Sequence, residues 1–445
     1  MKTKHNMTYT SLCIYIILLI LLPKDLPQLF GVIPIRITLT YLLFIVFCFD
    51  YYKNKIAVNN FNFKWIGIVY GIFLLLTIPS LFTTKNLFTS IYTIAKFISF
   101  FLVFYIVIKL KLTKEEYKSL VKIIIITSTI KFIWGLIEYI FEIDLFTVGA
   151  YKYPGAKGRV SAYFFNTIYY GMYINLIFGY LLYLINKSTN HKEKIVLSIV
   201  ALLAFINIIL TFTRSSFLVF FGIIFLLFVF LRKKIISKYI ISLGIISIIV
   251  GIMIPGSGIF MLSSVNDVTK LVFKTSPLEK YLPMLGLGNA DKDAEMGDYS
   301  LSHRKLFAKT AYEIGKDHML TGVGFGSYIN YIETDEFKTA YPEYKDVKTH
   351  PHTSVVLLFS EIGIPGLLAF ITFIVGIITI IIKSIKTNKK DNQIAIIALV
   401  VTIGFCMVNI IAENAFYDTQ IFPLYLAFIG LSINYTNYKN KVIIK

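Results

Sequence analysis

Twelve stretches of this chain, each long enough to approach a bilayer's width, carry few or no charges. An α-helix of about 20 apolar residues crosses the ~30 Å hydrocarbon layer of a membrane with its backbone hydrogen bonds made internally. No other pattern limits the fold as strongly. The expected spans are 8–22, 30–49, 65–82, 89–108, 121–141, 161–185, 195–212, 216–231, 237–254, 354–382, 394–413 and 419–436. The tenth is interrupted near Gly363, Pro365 and Gly366 and reads as a broken or tilted helix. A transmembrane β-barrel would alternate apolar and polar residues over about ten positions instead. The expected fold class is therefore all-α, a polytopic membrane protein of about 12 transmembrane helices. With 56% hydrophobic and 16% charged residues, the chain lacks the polar surface of a soluble protein of 445 residues.

Charge sets the expected orientation, since Lys and Arg gather on the cytoplasmic side. With the N-terminus inside, the cytoplasmic segments hold 24 Lys and Arg against five Asp and Glu, which equals the whole net charge of +19. The basic balance is thus a topology signal, and no soluble basic domain exists to bind nucleic acid. Both termini are expected in the cytoplasm. The chain reads as one integral membrane domain, 1–445, containing one large extracytoplasmic loop, 255–353, with 11 basic and 13 acidic residues. Lys2 and Lys4 before an apolar stretch mimic a signal peptide, but no small-residue cleavage site follows, so an uncleaved first helix is expected. Cys13, Cys48 and Cys406 fall in apolar segments and suggest no disulfide framework.

Chemistry must then use the outward loop and the outward helix ends. Arg214, in "LTFTRSSFLVF", occupies a tight outward turn between two apolar runs. It reads either as an interfacial anchor that snorkels to headgroups or as a phosphate ligand, to which its planar fork is suited. Arg304 lies in a stretch in which Leu301, Arg304, Lys305, Phe307, Ala308, Ala311, Tyr312 and Ile314 recur at helical spacing, with Ser300 or Ser302 as a cap. Locally that helix reads as a solvated basic patch on the outer surface. The following "GVGFG" lacks the strand of a dinucleotide site, so Gly322, Gly324 and Gly326 are expected to be turn residues. "DKD" at Asp291–Asp293 reads as a solvated loop, not a metal motif. His350 and His352 stand at the mouth of the tenth span. A neutral imidazole there can accept a proton near neutral pH. Within the membrane, Arg36 and Lys96 lie roughly 10 Å from the outer ends of their spans, where a lipid phosphate, Glu138 or Glu413 could meet them. Glu361 comes nine residues after His352, nearly opposite on an ideal helix, and is expected to make a structural hydrogen bond, not to partner His352.

"HTSVVLLFSEIGIPG" resembles the signature of the O-antigen ligase and O-antigen polymerase family: His, a small polar residue, nine residues, then G-x-x-G. Thr353 departs mildly from the usual Asn, Ser or Gln. "FTRSS" resembles the family's outward-turn arginine motif, and "GRVSAYFFNTIYYGMY" resembles a segment that precedes a span. Arg304 matches the arginine opening the helix of the large loop. The likeness covers about residues 150–385. It implies a glycosyltransferase that moves a glycan from a polyprenyl (undecaprenyl) diphosphate carrier to a glycan or lipid-glycan acceptor. The reaction would take place at the outer face of the bacterial cytoplasmic membrane. The resemblance implies His352 as general base on the acceptor hydroxyl, Arg214 and Arg304 as diphosphate ligands, and Arg159 as a further ligand. Glu361, Arg36 and Lys96 remain as supporting residues. It implies no metal and no cofactor, with membrane lipids and a chain-length regulator or flippase as companions. A repeat-unit polymerase of a surface polysaccharide is favoured narrowly over a ligase. The competing class, a polysaccharide or lipid transporter without catalysis, predicts repeated halves lined by central charges, which this sequence does not display.

Overall fold

Apolar runs fold here into helices whose open ends are closed by side chains of neighbouring segments. The computed structural model describes residues 7–22, 35–56, 58–59, 64–141, 159–164, 166–211, 213–231, 290–387 and 392–443. Along the chain come α1 (Met7–Leu21), α2 (Ile35–Tyr52), α3 (Lys64–Leu76), α4 (Leu87–Lys109), α5 (Lys114–Phe141), α6 (Thr167–Lys187), α7 (His191–Leu210) and α8 (Arg214–Leu231). They are followed by α9 (Ala290–Asp317), the short α10 (Tyr328–Ile332) and α11 (Asp335–Ala340), then α12 (Ser354–Thr387), α13 (Gln393–Ile411) and α14 (Ile421–Ile443). No strand occurs among the described residues. The protein is an all-α polytopic membrane protein. Among the described residues, eight helices are long and apolar enough to cross a bilayer, and three shorter apolar helices coincide with the first, eighth and last expected spans. The expected span 237–254 lies outside the described residues, as do 255–289 of the expected loop.

Helix ends show why the polar residues of these spans are there. The first N–H groups of a helix have no partner within it. Asp50, fully buried, accepts from Thr8 N at 2.6 Å and Thr8 Oγ1 at 2.7 Å at the start of α1. Asn86 and Asn166 cap α4 and α6 through Thr89 N and Tyr169 N. Asp418 accepts from Gln420 N and Ile421 N at the start of α14. At the other end of α1, Arg36 Nη2 donates to Leu22 O at 2.6 Å, and Gln420 Nε2 donates to Leu19 O.

The chain divides into two compact units. The first comprises residues 1–131 and 305–445. In it α14 packs along α4, α12 along α3 and α13, and α2 along α1 and α4. The second, 132–304, is centred on α6, which is buried along most of its length and packs against α7 and α8.

Two expectations for the large loop are corrected. The "DKD" stretch is helical, because α9 begins at Ala290. Ser300 and Ser302 are consequently interior to the helix and not caps. Nor is the Arg304 helix merely a solvated patch. Ala311 and Ile314 are fully buried, and with Phe307 they pack against Tyr328, Tyr331, Phe337, Val347 and Leu357. The hydrophobic spacing that predicted a helix here serves a protein core.

The tenth expected span is indeed broken. Gly363, at φ 67° and ψ −174°, interrupts α12. Pro365 falls in the first turn after the break, where a missing N–H costs no hydrogen bond. The groups freed by the break are satisfied by the "GVGFG" turn. Val323 N donates to Ser360 O at 2.9 Å, Gly324 N to Glu361 O at 3.1 Å, and Ile364 N to Met319 O at 2.7 Å. The approach is so close that a Cβ on Gly322, itself at φ +68°, would lie 2.1 Å from the Glu361 carbonyl carbon. Only glycine fits a left-handed position this near another backbone. The expectation that Gly322, Gly324 and Gly326 are turn residues is met: all three have positive φ.

Candidate active site

His352 stands two residues before the first helical residue of α12, on a segment pinned from several sides. Asn414 Nδ2 donates to the carbonyl of Pro351. The Ser354 hydroxyl donates to Asn409 Oδ1 at 2.8 Å, and that oxygen also accepts from Phe416 N at 2.9 Å. Asn409 Nδ2 is held by Phe405 O, one turn earlier in α13. The entry to α12 and the turn after α13 therefore form one hydrogen-bonded corner.

Within that corner His352 Nδ1 lies 3.6 Å from Glu413 Oε1. This is ion-pair distance, slightly beyond a hydrogen bond. Glu413 is nearly enclosed, its side chain 8% exposed, and its Oε1 also accepts from Asn414 N at 3.2 Å. The His352 side chain remains 33% exposed. One edge of the imidazole thus faces a buried carboxylate, and the ring keeps access to the surroundings. Phe307 of α9 lies against it, ring centroids 6.3 Å apart. Arg304 is a half-buried residue of α9. His350 is exposed and sits beside the Tyr328 ring at 5.9 Å.

Glu361 does what the helical phase predicted. It is fully buried and turned to other partners, accepting from Tyr417 OH at 2.6 Å, Gly326 N at 2.8 Å and Tyr328 N at 3.3 Å. It thereby binds α12 both to the glycine turn and to the turn after α13. Burial, and then the Glu361 carboxylate, pushes the Tyr328 hydroxyl upward, so that it stays protonated. Lys96 is buried with its Nζ 5.3 Å from the centre of the Tyr417 ring. Arg36 is buried at the end of α1, on the Leu22 carbonyl.

In the second unit, residues 159–164 fold over the ends of α5 and α7. Arg159 Nε donates to Thr211 O at 3.2 Å, and Val160 N to Leu210 O at 2.9 Å. Glu138 accepts from Ala162 N at 2.7 Å and Ser161 N at 3.1 Å, fixing a bend in which Ala162 and Tyr163 have positive φ. The segment is further anchored by Trp134 stacked on Tyr163 at 4.9 Å. Arg159 is therefore attached to Thr211, three residues before Arg214. Arg214 is the first residue of α8; its side chain lies outside the described residues. Two arginine motifs whose arginines are 55 residues apart in sequence are thus joined within this unit.

The sequence reading did not identify Glu413 as the carboxylate facing His352, nor Asn409, Asn414 and Ser354 as the residues that fix the corner. A polar Asn inside an apolar span, followed closely by Glu-Asn at its end, is the signal that could have found Asn409, Glu413 and Asn414.

No curated protein matches this chain. Residues 199–371 match the family model described as O-antigen ligase. The match contains Arg214, Arg304, His352 and Glu361, and ends before Glu413. The stretch of chain that holds His352 is thus similar to the O-antigen ligase family, in agreement with the resemblance carried by its motifs.

Proposed function

We propose that the protein transfers a glycan from a polyprenyl-diphosphate carrier to a hydroxyl of a glycan acceptor, and that it extends a surface polysaccharide as a repeat-unit polymerase. The O-antigen ligase domain supports glycan ligation or polymerisation in a membrane. The observation that carries the mechanism is the His352–Glu413 geometry. With Nδ1 turned to a buried carboxylate, the neutral ring is favoured as the tautomer that carries its proton on Nδ1 and presents a lone pair at Nε2.

The step balances simply. The acceptor oxygen bonds to the anomeric carbon of the donor, and the bond from that carbon to the diphosphate oxygen breaks. The acceptor proton passes to His352 Nε2, and the lipid diphosphate leaves with the electron pair. His352 becomes imidazolium, and Glu413 stabilises that charge as it forms. Arg214, Arg304 and Arg159 are assigned to the donor diphosphate, whose charge grows on bond cleavage; arginine's paired N–H groups suit its oxygens. In this reading the loop 255–353 and His352 face outward and both termini face the cytoplasm, as the lysine distribution requires.

The test is His352→Ala. Loss of a positioned base removes about 10²–10⁴-fold in rate. Expression, membrane insertion and donor binding should stay near the parental level, and His350→Ala should be much milder. A polymerase without its base leaves single repeat units on the carrier, whereas a ligase without its base leaves long chains there. Purified His352→Ala protein that transfers glycan at the parental rate would exclude the assigned role.

A further inference from the structure

Beyond the catalytic corner, the protein exposes large apolar side chains in two turns that the sequence places at or outside the membrane boundary. Phe82, in the turn between α3 and α4, is 87% exposed, and Leu320, in the turn after α9, is 76% exposed. Met319 is 44% exposed. The two turns are joined: Thr83 Oγ1 donates to Gly322 O at 2.7 Å, and Phe325 N donates to Ser80 Oγ at 3.1 Å.

Helix α12 gives the level of these residues. Ile364, Leu368, Ile371 and Val375 are exposed at helical spacing, the pattern of a stripe that meets lipid. From Ile364 to Ile382 the helix has 19 residues, ending at the exposed Lys383. At 1.5 Å per residue that is about 28 Å, close to the ~30 Å hydrocarbon thickness. The break at Gly363 therefore falls at the boundary opposite Lys383. Met319 sits at that boundary because its carbonyl accepts from Ile364 N at 2.7 Å. The α3 turn reaches the same level by an independent route. Phe73 lies against Phe370 at 5.2 Å, and a Cβ on Gly376 would lie 2.9 Å from the Trp65 ring, so α3 and α12 run antiparallel in fixed register. Continuing that register brings Ser80 and Phe82 beside Gly363. Polar groups begin just beyond: Lys85 pairs with the exposed Glu336 and holds its carboxyl below the usual range, and Lys316 pairs with Glu313 at 2.8 Å.

We propose that Phe82, Met319 and Leu320 form a membrane-inserted rim, seated in the lipid leaflet at the end of α12 opposite Lys383. The glycine turn is then partly a re-entrant element, its backbone satisfied by protein while its apolar side chains face acyl chains. Such non-helical backbone is tolerated at membrane depth only where protein surrounds it, which the bonds to Ser360, Glu361 and Ile364 supply. The occupant is lipid because the patch lies at the level where the exposed apolar stripe of α12 begins, Met319 O accepting from Ile364 N.

The test is collision accessibility of a nitroxide attached at Leu320→Cys or Phe82→Cys, with Cys13, Cys48 and Cys406 replaced by Ala. The protein is reconstituted in vesicles of phosphatidylethanolamine and phosphatidylglycerol. Both sites should collide readily with oxygen and poorly with a water-soluble nickel chelate, with Asp346→Cys showing the reverse. Access to the chelate at Leu320 would overturn the proposal, because the turn would be in water. Poor access to both reagents would overturn it too, because another protein surface would cover the patch. A second measurement keeps the native cysteines. Leu320→Trp should add emission, over that of Trp65 and Trp134, that is lost in vesicles of brominated phosphatidylcholine. Persistence of that added emission would refute the rim.

Discussion

Replacing Glu413 by Gln tests the role proposed for the His352 corner most directly. The amide keeps the size of the side chain and an oxygen able to accept from Asn414 N, but removes the charge facing His352. Two unit charges interact with about 332/(ε·r) kcal/mol. At the observed 3.6 Å this is about 4.6 kcal/mol for an effective ε of 20, and about 1.2 kcal/mol for the ε of water. With Glu413 nearly enclosed and His352 one-third exposed, the effective value lies between these limits, near ~2 kcal/mol. The attraction exists only once His352 carries the acceptor's proton, so it stabilises the transition state and not the bound substrates. The expected result is a fall in kcat of about 30-fold with KM for donor and acceptor unchanged. The assay uses purified protein in vesicles with the lipid-linked repeat unit isolated from parental cells, chain growth being followed on gels. A kcat within about threefold of the parent, or a loss lying wholly in KM, would refute the assignment of Glu413.

Other outcomes follow from the same geometry. Gly322→Ala should destabilise the protein by at least ~2 kcal/mol, from positive φ and a backbone clash together, whereas Gly71→Ala, with open space around its Cβ, should be neutral or stabilise by up to ~1 kcal/mol; thermal midpoints of the two variants check this. Arg214→Lys keeps the charge but loses the fork, and should lower kcat/KM for the donor by roughly tenfold; an unchanged value would make Arg214 an interfacial anchor. A membrane-impermeant thiol reagent added to intact cells should label Asp346→Cys and not Lys386→Cys, and the opposite pattern would invert the topology.

What could be read from sequence was what is local. Apolar length marked the spans, and Gly363 with Pro365 marked the break in α12 because each acts on its own backbone. The phase of Glu361 relative to His352 was enough to separate their roles. What could not be read was pairing at a distance. Glu413 is 61 residues from His352, and nothing in a span boundary says which carboxylate it will meet. The glycine turn looked like a surface feature because its partner, the opened helix at Ser360–Ile364, lies some 40 residues later. Asp291–Asp293 were assigned to a loop on polarity alone, yet a helix that is polar along part of its length needs only its later turns to pack, as Ala311 and Ile314 do.

The break in α12 has a consequence for how the protein is made. A nascent span enters the bilayer most readily as an unbroken helix, with its backbone satisfied along its own axis. Opening that helix at Gly363 within reach of lipid exposes carbonyls and an N–H that only the Met319–Gly324 turn then satisfies. The bent form of α12 is therefore not a property of the span alone: its backbone is completed by Met319, Val323 and Gly324, so the shape of this helix is tied to the folding of the chain that precedes it.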